Sequence, residues 1–208
     1  MSPLHKEILT PEQVQLLPVL KRFKDDFGLV GGTAIALHLG HRESIDFDLF
    51  TKDPEYDFQT ARLLSRFKRG ALVQKVLRDR DVELTFNSLN VQITFFYFDH
   101  RIPFTQNIDS YIEMPTLLDL AAMKAYALGY RSKWKDYVDL YFITRDYHAV
   151  PEIMRRTKEL FPEFNERLFH QQLPFFDDVN YSEVVKFKPG FEVADEEIKK
   201  TLTALALS

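Results

Sequence analysis

The chain has 208 residues, 45% of them hydrophobic and 28% charged, with a formal net charge of −4 at pH 7. That is enough to bury a sizeable core as one domain plus an appendage, and the acidic balance argues against indiscriminate nucleic-acid binding. There is no cysteine, which excludes disulfides, a thiolate zinc site and a thiol nucleophile.

In chain order, MSPLHKEILTPEQ is polar and lacks an apolar signal core, and no apolar run approaches a membrane span. A cytoplasmic protein without a membrane partner is the expectation. A short helix is expected around Pro11 to Phe23. Phe27-Gly28-Leu29-Val30 reads as a short buried strand, Thr33 to Leu39 as a helix, and Ser44 to Phe50 as a second strand. Phe58 to Lys68 reads as a helix. Strands near Ala71–Leu77, Asp81–Phe86 and Val91–Phe98 follow, the last two joined through Asn87-Ser88-Leu89-Asn90. From Thr116 the pattern is helical: Leu117 to Tyr130 after the start signal Pro115-Thr116, then Lys135 to Tyr147, then Glu152 to Phe161 between two prolines. Residues 175–178 and 186–190 read as irregular, and a helix from about Asp195 to Leu207 closes the chain. There is no internal repeat.

The stretch GLVGGTAIALHLGHRESIDFDLF combines three chemical devices. Gly31-Gly32 lets backbone approach a phosphate closely, and a helix beginning at Thr33 points free N–H groups at such an anion. Asp46 and Asp48, spaced i, i+2, lie on one face of a strand, where hard oxygen ligands can hold Mg²⁺. Alone, the glycine pair reads as a turn and Asp-x-Asp as a solvated strand end. Their order puts turn and carboxylates at neighbouring ends of one sheet, which suggests a nucleoside triphosphate and its metal. No Gly-Lys-Ser/Thr follows as in a Walker loop, and GxGxxG is absent.

Downstream, Leu117, Leu120, Ala121, Lys124, Ala127 and Leu128 fall at helical spacing, so Lys124 lies along an apolar stripe. A lysine there needs a partner or must snorkel to water; triphosphate would serve as that partner. Asp136 and Asp139 share one side of the next helix, where an acidic pair reads as a helix start favoured by the dipole.

These two segments together resemble the DNA polymerase beta superfamily of nucleotidyltransferases, in the form found in AbiEii-like abortive-infection and toxin proteins. The first motif of that family is an apolar residue, Gly-Gly or Gly-Ser, a gap, then Asp-x-Asp or Asp-x-Glu. Its second is Lys-x-x-Ala-Leu-x-x-Arg-x-x-x-Arg/Lys-Asp-x-x-Asp-Leu-x-x-Leu, matched here by Lys124, Ala127-Leu128, Arg131, Lys135-Asp136, Asp139-Leu140 and Ile143. The resemblance covers Phe27 to Ile143, more than half the chain. It implies an α+β fold: a polymerase beta-like mixed sheet flanked by helices over residues 1–114, with an N-terminal helix, then a helical region over 115–208 carrying the Lys/Asp motif.

The resemblance also implies roles. Gly31, Gly32, Thr33, Lys124 and Arg131 would bind the nucleotide. Asp46, Asp48, Lys124, Asp136 and Asp139 would be catalytic, with Asp46 and Asp48 holding Mg²⁺. The implied reaction is a transferase step in which a nucleoside monophosphate moves from a nucleoside triphosphate to an acceptor hydroxyl. RNA, including a tRNA end, is an implied acceptor, and a cognate antitoxin protein an implied partner in a toxin–antitoxin pair. A small-molecule acceptor, as in antibiotic-modifying relatives, is a third option. Family members carry a third carboxylate on a central strand. In NVQITFFYF that position falls on Thr94, or on Gln92, neither of which ionises; Glu83 on the preceding strand is the candidate substitute. The alternative reading is therefore a catalytically degenerate binding module on the same fold.

The remaining candidates are structural. Most of the nineteen phenylalanines are expected in the core. The six histidines show no metal spacing. For His38 and His41, astride Gly40, a surface or capping role is expected, with substrate contact as the alternative. Arg62, Arg66, Lys68 and Arg69, then Lys75, Arg78 and Arg80, form basic clusters expected to be solvated or to meet RNA phosphates.

Overall fold

A computed structural model describes residues 3–128 and 132–207. Helix α1 (Pro11–Leu20) opens on Thr10, whose hydroxyl accepts from the Gln13 N–H while the Gln13 side chain accepts from the Thr10 N–H. This reciprocal cap satisfies donors that the first helical turn leaves unpaired. A 3₁₀ turn at Lys21–Phe23 leads to strand β1 (Phe27–Val30), followed by helix α2 (Gly31–Leu39). Strand β2 (Phe47–Thr51), helix α3 (Thr60–Lys68) and strands β3 (Lys75–Arg80), β4 (Glu83–Ser88) and β5 (Val91–Phe96) complete a five-stranded sheet in the order β1-β2-β5-β4-β3. Only the β2–β5 pairing is parallel, so the sheet is mixed.

Some boundaries depart from the sequence expectation for identifiable reasons. β2 begins at Phe47 instead of Ser44 because side chains take up the backbone before it: the Ser44 carbonyl accepts from the Gln13 amide at 3.0 Å. β3 begins at Lys75 instead of Ala71 and is exposed at every residue, so no apolar alternation marks it. Between β4 and β5 only Leu89 and Asn90 turn the chain, at φ 50° and 61°, the tight hairpin form that suits the strand twist.

One sheet face is closed by aromatic packing. Phe27, Phe47, Phe86 and Phe95 are fully buried there, with Phe23 4.7 Å from Phe95 and Phe67 of α3 4.7 Å from Phe86, centroid to centroid. Each such ring removed from water is worth about 1.5–3 kcal/mol. A small ribbon, β6 (Gln106–Ile108) with β7 (Ile112–Met114), packs beside β1. Its strands are too short for alternation to reveal them in the sequence.

The chain is then helical: α4 (Leu117–Leu128), α5 (Trp134–Asp146), α6 (Val150–Leu160), α7 (Glu166–Gln172) and α8 (Asp195–Ala206). Thr116 caps α4, its hydroxyl accepting from the Asp119 N–H at 3.1 Å, as Pro115-Thr116 predicts. α7, which the sequence reading left out, starts where Asn165 accepts from the Leu168 N–H. α4 and α5 pack on α2, α6 on α4, and α8 on α5. A single hydrophobic cluster runs from Ile8 to Leu202 through sheet and helices alike. Among the described residues no helix is long and apolar enough to cross a membrane.

Candidate active site

Val30, the last residue of β1, pairs with Asp48 on the neighbouring strand. The start of α2 and the Asp48 carboxylate therefore meet at one end of the sheet, as the spacing predicts. The helix begins at Gly31 itself, not after the glycine pair. Gly31 adopts φ 71°, and a Cβ there would collide with Asp48 Oδ2. A Cβ on Gly32 would lie 2.6 Å from Arg42 Nη2 and 3.2 Å from Ser44 Oγ. Two glycines thus let a helix start fit between a carboxylate and a guanidinium. The N-cap residue, Val30, puts no side-chain hydrogen bond on the first N–H groups of α2, which lie at the positive end of the helix dipole, where an anion is favoured. Thr33 does something else: its buried hydroxyl lies 2.9 Å from Ser44 Oγ and also bonds the Asp46 carbonyl, holding the approach to β2 in place.

A cavity of about 580 Å³ separates the sheet from α4; Gly31, Asp48, Thr94, Lys124 and Lys133 are among its lining residues. Asp48 stands level with Thr94 on β5, and Thr94 level with Thr85 on β4. Thr94 thus occupies the place beside Asp48 where the resemblance puts a third carboxylate. Glu83 shares this sheet face but does not replace that acid. It is two strands from Asp48, about 10 Å at the usual strand spacing, and is engaged by Thr85 Oγ1 and Arg78 Nη1, each at 3.0 Å. Asp46 lies just ahead of β2 and outside the cavity lining. Burial pushes its carboxyl above the usual range, against the pull of Lys135 and Lys133.

Among the described residues no three His, Cys, Asp or Glu groups converge as a metal cage. Asp48, a carboxylate bordering the cavity, fits one Mg²⁺ as a single protein ligand. That ion is commonly held by one or two carboxylates, with substrate phosphates and water filling its other positions. Asp48 would be one such carboxylate, and Asp46, outside the lining, is the second candidate named from the sequence.

Lys124 does not snorkel. It is 6% exposed, touches the cavity, and is held from behind by Asp136 and, at 3.1 Å, by Asp139 Oδ2. Asp139 is fully buried and also receives Arg42 Nε and Nη2 side-on at 2.8 and 2.9 Å. His41 Nε2 reaches it at 2.9 Å. Asp136 and Asp139 accordingly stand outside the cavity lining, as supports for Lys124. Among the described residues Arg42 and Lys124 meet Asp136 and Asp139, and such pairing is what permits charged groups to be buried together. Burial works to raise the Asp139 carboxyl, but Arg42, Lys124 and His41 outweigh it and hold the group well below its ordinary value.

Sequence reasoning missed His41 and Arg42 as members of this network. The expected surface or capping role is corrected for both histidines: His41 is fully buried, and His38 Nε2 donates to the Pro115 carbonyl at 3.1 Å. No linear pattern pairs residue 42 with residue 139. What places His41 and Arg42 is the C-terminal stretch, where Lys188 N–H donates to the His41 carbonyl and Glu43 N–H to the Lys186 carbonyl, both at 2.9 Å. Arg131, expected at the nucleotide, lies outside the described residues.

The network makes the fold acid-sensitive in a defined direction. Burial lowers the His41 imidazole below its ordinary 6.5, against the pull of Asp139. With Nε2–H donating to Asp139, Nδ1 is buried and has no hydrogen-bond partner among the described residues, so a proton arriving there would add charge beside Arg42 and Lys124. The folded value lies below the unfolded one, so this contribution is fully present above pH 6.5 and is lost as pH falls through the folded value. Urea midpoints should decline from pH 7 to pH 5, and His41→Gln should flatten that decline. An unchanged slope in the variant would show that His41 is not its source.

At the cavity mouth, Glu183 accepts from Lys133 and Lys135 at 2.8 and 2.9 Å, which holds its carboxyl down to about 2. Of the basic clusters named from the sequence, Arg66 is tied to Asp26 at 2.6 Å, and the β3 residues stay exposed.

A family model described as nucleotidyl transferase AbiEii toxin, type IV TA system, matches residues 18–204. An uncharacterised protein of Aquifex aeolicus (strain VF5) is 28% identical over 181 residues, 85% of this chain and 86% of that one. The crystal structure of JHP933 from Helicobacter pylori superposes with a TM-score of 0.56 at 18% identity, covering 98% of this chain and 92% of the other. MenT4, a nucleotidyltransferase toxin of Mycobacterium tuberculosis H37Rv, superposes with a TM-score of 0.59 at 13% identity, covering 94% of this chain and 81% of that toxin. At such identities the structural likeness speaks to the fold, which is the nucleotidyltransferase fold.

Proposed function

The chain belongs to the AbiEii family of nucleotidyltransferase toxins, and from that premise we propose that it transfers a nucleoside monophosphate from a Mg²⁺-bound nucleoside triphosphate to an acceptor hydroxyl. The observation that carries the reading is the juxtaposition of the α2 start at Gly31, Asp48 and Lys124 around one cavity. In this reading the α2 N–H groups cradle phosphate oxygens, and Lys124, held in place by Asp136 and Asp139, meets the negative charge that develops in the transition state. The acceptor oxygen attacks the α-phosphorus, the bond to the bridging oxygen breaks, and pyrophosphate leaves. The hydroxyl proton passes to a carboxylate of the Asp46–Asp48 pair. Mg²⁺ on those carboxylates supplies charge neutralisation of the triphosphate. RNA, including a tRNA end, is the proposed acceptor, and a cognate antitoxin the proposed protein partner, consistent with the type IV toxin–antitoxin description of the family.

Thermal unfolding with each of the four nucleoside triphosphates and Mg²⁺ tests this directly. Ligand at a hundred times its dissociation constant stabilises by about 2.7 kcal/mol, or about 5–10 °C for a chain of this size. A Mg²⁺-dependent rise of that order, absent in Asp48→Asn, is the expected result; no rise with any nucleotide would sink the proposal.

Thr94 beside Asp48 favours a second reading, a binding module that has lost turnover. Thr94→Asp separates the two. A variant that gains metal affinity and turnover supports the decayed site, whereas loss of activity places Thr94 in a working one.

A further inference from the structure

The cavity has a second half that the triphosphate chemistry leaves unused. Along β5, residues two apart share a face, so Gln92, Thr94 and Phe96 follow one another across the floor, with Phe98 beyond the strand end. Asp48 is level with Thr94, and Phe50 with Phe96. The floor thus changes from carboxylate and hydroxyl to aromatic within one two-residue step, about 7 Å of strand. That is the order of phosphate, ribose and base in a nucleotide.

Phe50 lies 5.2 Å from Phe96 and 4.8 Å from Phe98, centroid to centroid. Opposite them, Tyr126 of α4 stacks on Phe161 at 4.2 Å and 14°, and Phe161 meets Phe98 at 6.1 Å. On the other sheet face Phe47 and Phe95 are at 0% exposure, whereas Phe50, Phe96 and Phe98 stay half-buried because the cavity keeps them open. Half-buried rings inside a walled cavity suit a flat, apolar ligand.

We propose that the aromatic end of the cavity is the nucleobase subsite, in which the base of the incoming nucleoside triphosphate stacks on Phe96 and Phe50 while its phosphates reach the α2 start. The proposal rests on the triphosphate reading above and assigns the other half of the same cavity.

Calorimetric titration of the full chain with Mg²⁺ and either inorganic triphosphate or the best-bound nucleoside triphosphate separates the two. Aromatic stacking of a base is worth about ten-fold or more in affinity, so the nucleotide should bind at least about ten-fold tighter than inorganic triphosphate. Phe96→Leu, which keeps apolar volume but removes the ring, should abolish that advantage and leave inorganic triphosphate binding unchanged; Phe98→Leu serves if the first variant does not fold. Equal binding of the two ligands by the unmodified chain overturns the base subsite and leaves the phosphate site standing. So does an unaffected variant, or one that loses both ligands equally. If neither ligand binds, the triphosphate reading itself fails and the subsite with it.

Discussion

Replacing Asp139 with alanine should cost about 3–5 kcal/mol of folding stability, the usual consequence of deleting one partner from a buried charge network. In a chain of this size that is a fall in melting temperature of about 6–20 °C, readable by calorimetry or urea unfolding. Arg42 loses its side-on carboxylate, Lys124 loses one of two acidic partners, and the His41 Nε2–H loses its acceptor, all at positions nearly or fully removed from water. The Asp139 carboxyl sits below its unfolded value, so its contribution is complete above about pH 3.8 and disappears as pH falls further, beneath the range where His41 acts. A double variant, Asp139→Leu with Arg42→Met, should recover part of the loss, because it removes the orphaned cation as well as the anion. A single-variant loss under about 1 kcal/mol would mean that water or neighbouring dipoles already compensate the site.

Asp48→Asn should behave in the opposite way. The substitution keeps size and shape but removes the charge beside the α2 start, where the proposed metal and triphosphate meet. Transfer of labelled nucleoside monophosphate should fall by on the order of 10²–10³, the scale at which removal of one electrostatic contributor shows in turnover. Melting temperature in the absence of ligand should change little, since the substitution keeps the size and shape of a half-buried side chain at the cavity wall. In cells, toxicity should disappear with turnover. A fully toxic Asp48→Asn would remove the enzymatic basis of the toxin reading. Together the variants would sort the acidic residues under the proposed function, with Asp48 acting at the cavity and Asp139 through Lys124.

Much of this was legible before any coordinates. Local order carried the β1–α2–β2 segment, because hydrophobic runs, the glycine pair and the Asp-x-Asp spacing all lie within one short stretch and need no distant partner. The same holds for Thr94, whose place on the pocket-facing side of β5 follows from two-residue alternation. Lys124 on an apolar helix stripe announced a buried cation, but not which group would meet it.

What only tertiary structure decided were the partners. Asp136 and Asp139 looked like candidates for direct chemistry, yet packing of α4 against α5 turns them toward Lys124 and Arg42. His41 and Arg42 became part of the site only because residues 186–188 pair with residues 41–43, joining segments far apart in the chain. The aromatic half of the cavity likewise draws on β2, β5, α4 and the residue after α6. Periodicity along a chain reports which face of an element seeks burial, because that depends on neighbours two to four residues away. It carries no information on which buried charge meets which, since electrostatic pairing is set by distance in space. The sequence therefore determined the fold class and brought the glycine pair and Asp48 to one end of the sheet, and tertiary packing decided which side chains face the cavity and which hold them there.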